Sequence, residues 1–74
     1  MLMTDLRKRF IKDVKTKTAP ELLVVAVKLP TGAIETIINT SKLADKIQYY
    51  MEAYDDEFRL KTHPAIQIVG YMLV

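Results

Sequence analysis

Few residues in this chain could do chemistry, and their spacing does not bring them together. His63 is the single histidine, it stands before Pro64, and no serine or carboxylate lies at a spacing that suggests a catalytic triad. A turn residue is its plain reading. Asp55, Asp56 and Glu57 form a carboxylate run that could meet a divalent cation. Consecutive helical residues point about 100° apart, however, so the three converge on one ion only if a helix ends there. Carboxylates near a helix C-terminus also oppose its dipole. That calls for an offsetting cation, either Arg59 and Lys61 or the Arg7-Lys8-Arg9 cluster of another subunit. Cysteine is absent, which removes thiol chemistry and disulfides and, with one histidine, argues against a zinc cage. Gly32 is the only glycine in a loop, so there is no phosphate-cradling motif. The inventory predicts a protein that is not an enzyme and has no cofactor-binding or metal site.

The basic residues could do a different kind of chemistry, contact with phosphate. Between Met1 and Ala19, Arg7, Lys8, Arg9, Lys12, Lys15 and Lys17 face only Asp5 and Asp13, a balance of +4, against −2 for the remainder and +2 for the whole chain. The chain therefore reads as a basic amphipathic arm over 1–19 and a slightly acidic domain over 20–74, hinged at Thr16-Lys17-Thr18-Ala19-Pro20. Thr4 can cap a short helix with Asp5 in its first turn, and Leu6, Phe10 and Val14 recur every four residues. Its cationic side could bind phosphate, but no aromatic residue is left among the basic ones to stack on bases. The small net charge also argues against a dedicated nucleic-acid binder. The favoured reading is that Leu6 and Phe10 dock the helix on the sheet or on a neighbouring subunit.

The elements that position these groups follow from hydrophobic periodicity. Glu21–Leu29 predicts a strand whose apolar run Leu22–Val27 does not alternate, so both its faces need cover. Leu29-Pro30-Thr31-Gly32 predicts a type I turn with a bulge. The returning strand, Ala33–Thr40, sets Ile34, Thr36 and Ile38 against Glu35, Ile37 and Asn39. Asn39, Thr40 and Ser41 offer capping oxygens to a helix over Ser41–Phe58, whose stripe is Leu43, Ile47, Tyr50, Met51, Tyr54 and Phe58. Core packing is the reading for that stripe. Ala65–Val74 predicts a last strand in which Ile66, Ile68 and Met72 alternate with Gln67, Val69, Tyr71 and Leu73. Gly70 within it suggests close approach of the helix or another backbone.

Together these give an α+β fold, a small ββαβ domain with a three-stranded sheet of order 2-1-3. One long helix covers one face, preceded by the short basic N-terminal helix. With 74 residues, 50% of them hydrophobic, the domain has little interior and much apolar surface, and association is the usual remedy when disulfides and metals are absent. Fully burying each further aliphatic side chain is worth ~1.5–3 kcal/mol. Leu22, Val24, Ala26, Ile34, Ile38, Val69, Tyr71 and Leu73 are the residues expected at a homo-oligomer interface. The longest apolar run is too short for a membrane helix, and the N-terminus lacks the apolar stretch of a secretory signal, so the cytoplasm is the expected location.

A resemblance adds to this. Leu29-Pro30-Thr31-Gly32, Tyr49-Tyr50, Ala53-Tyr54-Asp55-Asp56 and the closing Tyr71-Met72-Leu73-Val74 lie within a stretch, Leu22 to Val74, that resembles small accessory proteins of tailed phages of Gram-positive bacteria. Within that group it is similar to ring-forming assembly chaperones encoded in morphogenesis gene clusters. The resemblance implies a cyclic oligomer such as a hexamer, a phage structural protein as partner, and the cytoplasm of the infected host as location. The alternative is a small regulator that binds nucleic acid or a host protein through the basic arm.

Overall fold

A computed structural model describes residues 3–74; Met1 and Leu2 of the basic arm lie outside the described residues. Helix α1 (Asp5–Thr16) is followed by strands β1 (Leu23–Lys28) and β2 (Ile34–Asn39), helix α2 (Leu43–Ala53), a two-residue strand β3 (Arg59–Leu60) and the long strand β4 (His63–Leu73). The fold is α+β, with two helices and one antiparallel sheet in the order β2-β1-β4-β3. The last long strand does lie beside the first, as the 2-1-3 order requires. The short β3 adds a fourth strand that sequence periodicity did not show.

The β1–β2 turn forms as its residues dictate. Leu29 N–H donates to Ala33 C=O and Gly32 N–H to Leu29 C=O, both at 2.8 Å. Gly32 has φ +92°, the left-handed conformation that glycine adopts without steric cost. In α1, the Thr4 hydroxyl accepts from Arg7 N–H at 3.3 Å, the expected N-cap.

Helix α2 departs from expectation at both ends. Its N-cap is Lys42, left-handed at φ 50°, with no side-chain cap. Asn39 turns inward instead, and its amide donates to Leu23 C=O at 3.2 Å and to the Tyr50 hydroxyl at 3.4 Å. At the other end the helix stops at Ala53, five residues short of Phe58. Asp55 explains the break: its Oδ1 accepts from the N–H groups of Glu57 and Arg59, each at 2.9 Å, and holds a turn that feeds β3. Phe58 sits at φ 60°, uncommon for a bulky residue. Tyr54 and Phe58 are nonetheless buried, so the stripe predicted for one helix reaches the core partly through a hairpin.

Both helices lie over the same face of the sheet. Phe10 of α1 belongs to one buried cluster with Leu23, Val25, Val27, Leu43, Tyr50, Tyr54, Phe58 and Ile68, against which Leu6, Val14, Ile47 and Met51 pack. The Phe10 ring meets Phe58 and Tyr71 edge-on, with centroids 5.5 and 5.1 Å apart. No helix is left for the opposite face among the described residues.

In β4 the residue facing changes partway. Ala26 pairs with Gly70 but Val27 pairs with Ile68, so Val69 is the extra residue of a β-bulge. The bulge puts Ile66 and Ile68 on the helix side together with Tyr71 and Leu73, and Met72 on the other, which corrects the simple alternation. Gly70 does not mark close backbone approach: a Cβ there would meet only the Ala26 methyl, at 3.8 Å.

Candidate interaction surface

The outer face of the sheet is built from cross-strand rows. Ile38, Val24 and Met72 form one row, Thr36, Ala26 and Gly70 the next, and Ile34, Lys28 and Gln67 the third. Leu22 extends the first side of this face through a reciprocal pair with Val74, with N···O distances of 3.2 and 2.9 Å. Exposure reaches 65% at Ile38, 54% at Ile34 and 51% at Met72. Lys28 is the only charged residue in these rows.

Of the residues expected at an interface, Leu22, Val24, Ala26, Ile34 and Ile38 share this outer face. Val69 is exposed at the bulge. Tyr71 and Leu73 are on the helix-covered side, packed against the core. Met72 and Val74 are members that alternation missed. The available signal was Gly70, since a glycine inside a strand pattern also marks bulges, and a bulge reverses the facing of every later residue in the strand.

The edge of the sheet continues this surface. The Leu29–Ala33 bond sets the phase of the ladder, and antiparallel pairs alternate between bonded and non-bonded. Leu23, Val25 and Val27 therefore bond Asn39, Ile37 and Glu35, while the N–H and C=O groups of Ile34, Thr36 and Ile38 point away from β1. On the helix side of this edge lies a groove of about 460 Å³ between β2 and α2, lined by Ile37, Asn39, Lys42, Asp45, Lys46 and Tyr49.

The charged groups singled out in the sequence are mostly structural. Arg7 is buried. Its Nη2 donates to Met51 C=O at 2.9 Å and its Nη1 to Tyr54 C=O at 3.1 Å, supplying the end of α2 with the cation its dipole favours. Its Nε lies 3.9 Å from Asp56 Oδ1, and its guanidinium carbon 5.4 Å from the Phe58 ring centre. The acidic run is thus met by Arg7 of the same chain and by Arg59, 3.7 Å from Glu57. Among the described residues no group of three or more His, Cys, Asp or Glu side chains is placed to hold a metal.

Two tyrosines are held protonated. Burial is the main reason the Tyr71 hydroxyl is pushed well above its ordinary range; its hydrogen bond to the Asp13 carboxylate and that group's charge add to it, and Arg9 opposes them. Burial likewise raises Tyr54, with Tyr49 and Tyr50 adding. No helix among the described residues is long and apolar enough to cross a membrane. Comparison with family models, curated proteins and solved structures returns no match to this chain.

Proposed function

We propose that this chain is a non-catalytic protein that associates with further copies of itself, and that it serves as an assembly or accessory factor of the chaperone-like kind found in phages. The observation that carries the first part is that α1 and α2 share one face of the sheet, leaving the cross-strand row of Ile38, Val24 and Met72 without a covering element, with Ile38 and Met72 exposed. Patches of this kind on small proteins mark association sites. The phage setting rests on the sequence resemblance. A phage structural protein is its proposed client, and a hexamer one size the ring likeness implies. Light scattering across a dilution series tests the association: masses at multiples of 8.5 kDa are expected, and Met72→Lys should lower them while leaving the circular dichroism spectrum unchanged. A constant mass near 8.5 kDa would refute self-association.

One observation favours a second reading. Lys8, Arg9, Lys12 and Lys15 are exposed along α1, a cationic stripe that could meet phosphates. Burial of Arg7 removes one member of that stripe. Binding to generic DNA that falls steeply with salt would establish this reading.

A further inference from the structure

We propose that two copies join edge to edge through β2, in an antiparallel pairing centred on Ile37; this rests on the self-association reading only in taking the partner to be a second copy. The outward N–H and C=O groups of Ile34, Thr36 and Ile38 are an open ladder. Self-pairing about Ile37 sets Thr36 opposite Ile38 of the second copy and Ile34 opposite its Thr40, so every outward group meets an outward group. On the helix side Ile37, 39% exposed, packs on its own symmetry mate. Glu35, the only charged side chain of β2, then falls opposite Asn39 of the second copy, at the groove where Lys42 and Lys46 outnumber Asp45. That charge complementarity selects a second β2 as the occupant. The opposite edge is a poorer template: β3 has two residues, and α1 packs beside β4 through Phe10 and the Tyr71–Asp13 bond. The two-fold joint leaves the outer face free, and the two contacts together build even-numbered assemblies, a hexamer among them.

The chain has no cysteine, so a single one reports the joint. Ile37 bonds to β1, which makes Ile37 against Ile37 a non-bonded pair with Cα atoms about 4.5 Å apart, within disulfide range. Full-length Ile37→Cys should oxidise to a covalent dimer at least tenfold faster than Thr31→Cys at the hairpin tip. Glu35→Lys should slow that cross-link about tenfold, and adding Lys46→Glu should restore it. Equal rates for the two cysteines, or no effect of the charge reversals, would overturn edge pairing about this axis. Such a failure leaves association through the outer face standing, since Met72→Lys tests that surface separately.

Discussion

The two faces of this sheet are made of similar residues and have opposite fates. On the inner face Leu23, Val25, Val27 and Ile68 join Phe10, Tyr50 and Phe58 in the buried core and lose their contact with water, and Tyr71 packs against them partly buried. On the outer face Val24, Ile38, Met72 and Val74 are as apolar, yet Ile38, Met72 and Val74 stay exposed and Val24 is only partly buried. The difference lies in what is laid on each face. A hairpin at Tyr54–Phe58 folds the chain back, and Arg7 ties α1 to the end of α2, so both helices are spent on one side. Apolar character therefore marks where cover is needed, and the connections decide whether the same chain provides it.

Substitutions on the inner face should have the largest effects. Phe10→Ala removes a ring that is 1% exposed and should cost ~3–5 kcal/mol, a large share of a small domain's stability. The midpoint of urea unfolding at fixed protein concentration measures it. A loss below about 1 kcal/mol would mean that α1 is not part of the core.

Arg7→Ala is next. It leaves the carbonyls of Met51 and Tyr54 without their donors and exposes one side of Phe58, and should cost ~2–4 kcal/mol. Lys8→Ala on the solvent side should stay within about 0.5 kcal/mol. Equal effects of the two would show that the arm binds by general charge and not by this contact.

Tyr71→Phe should cost ~1–2 kcal/mol, from the lost bond to Asp13. The folded-state pKa of Tyr71 is raised above the unfolded value of 10.0. Its stabilisation is therefore complete below pH 10 and is lost as pH rises beyond that, while the unfolded tyrosine ionises and the folded one does not. Wild type should thus lose stability between pH 10 and 12 more steeply than Tyr71→Phe, which urea melts along that range would register.

The smallest change in fold stability belongs to the outer face. Ile38→Ser, at a 65% exposed site, should leave the unfolding midpoint of dilute protein within about 0.5 kcal/mol while reducing the mass seen at high concentration. If it destabilised the dilute chain as much as Phe10→Ala, the two faces would not differ in the way described.

Much of the scaffold was legible in local patterns. The Leu29–Gly32 turn, the Thr4 cap, the neighbourhood of the first and last long strands and the inward role of Tyr50 all follow from spacing or from steric rules that act within a few residues. The same holds for Ile34, Thr36 and Ile38 sharing one face, because an uninterrupted strand alternates without exception. The candidate surface was half legible for this reason: its β1 and β2 members were recognised, and those of β4 were mixed with Tyr71 and Leu73. One extra residue at Val69 reverses the facing beyond it, and whether a strand bulges depends on its partner's register, which no period in the strand encodes.

The sequence by itself thus determined the long elements and their apolar content, since each of these is set by neighbours along the chain. Only the tertiary structure decided that Arg7 is buried beneath the acidic run and that both helices cover the same face. These depend on contacts across more than 40 positions, such as Arg7 with Met51 and Tyr54. Long-range contacts form where burial and hydrogen bonding of the whole chain are best satisfied together, and local preference yields to them: the Tyr54–Phe58 segment gives up its helical period because a turn there buries Phe58 and anchors Arg7 at once.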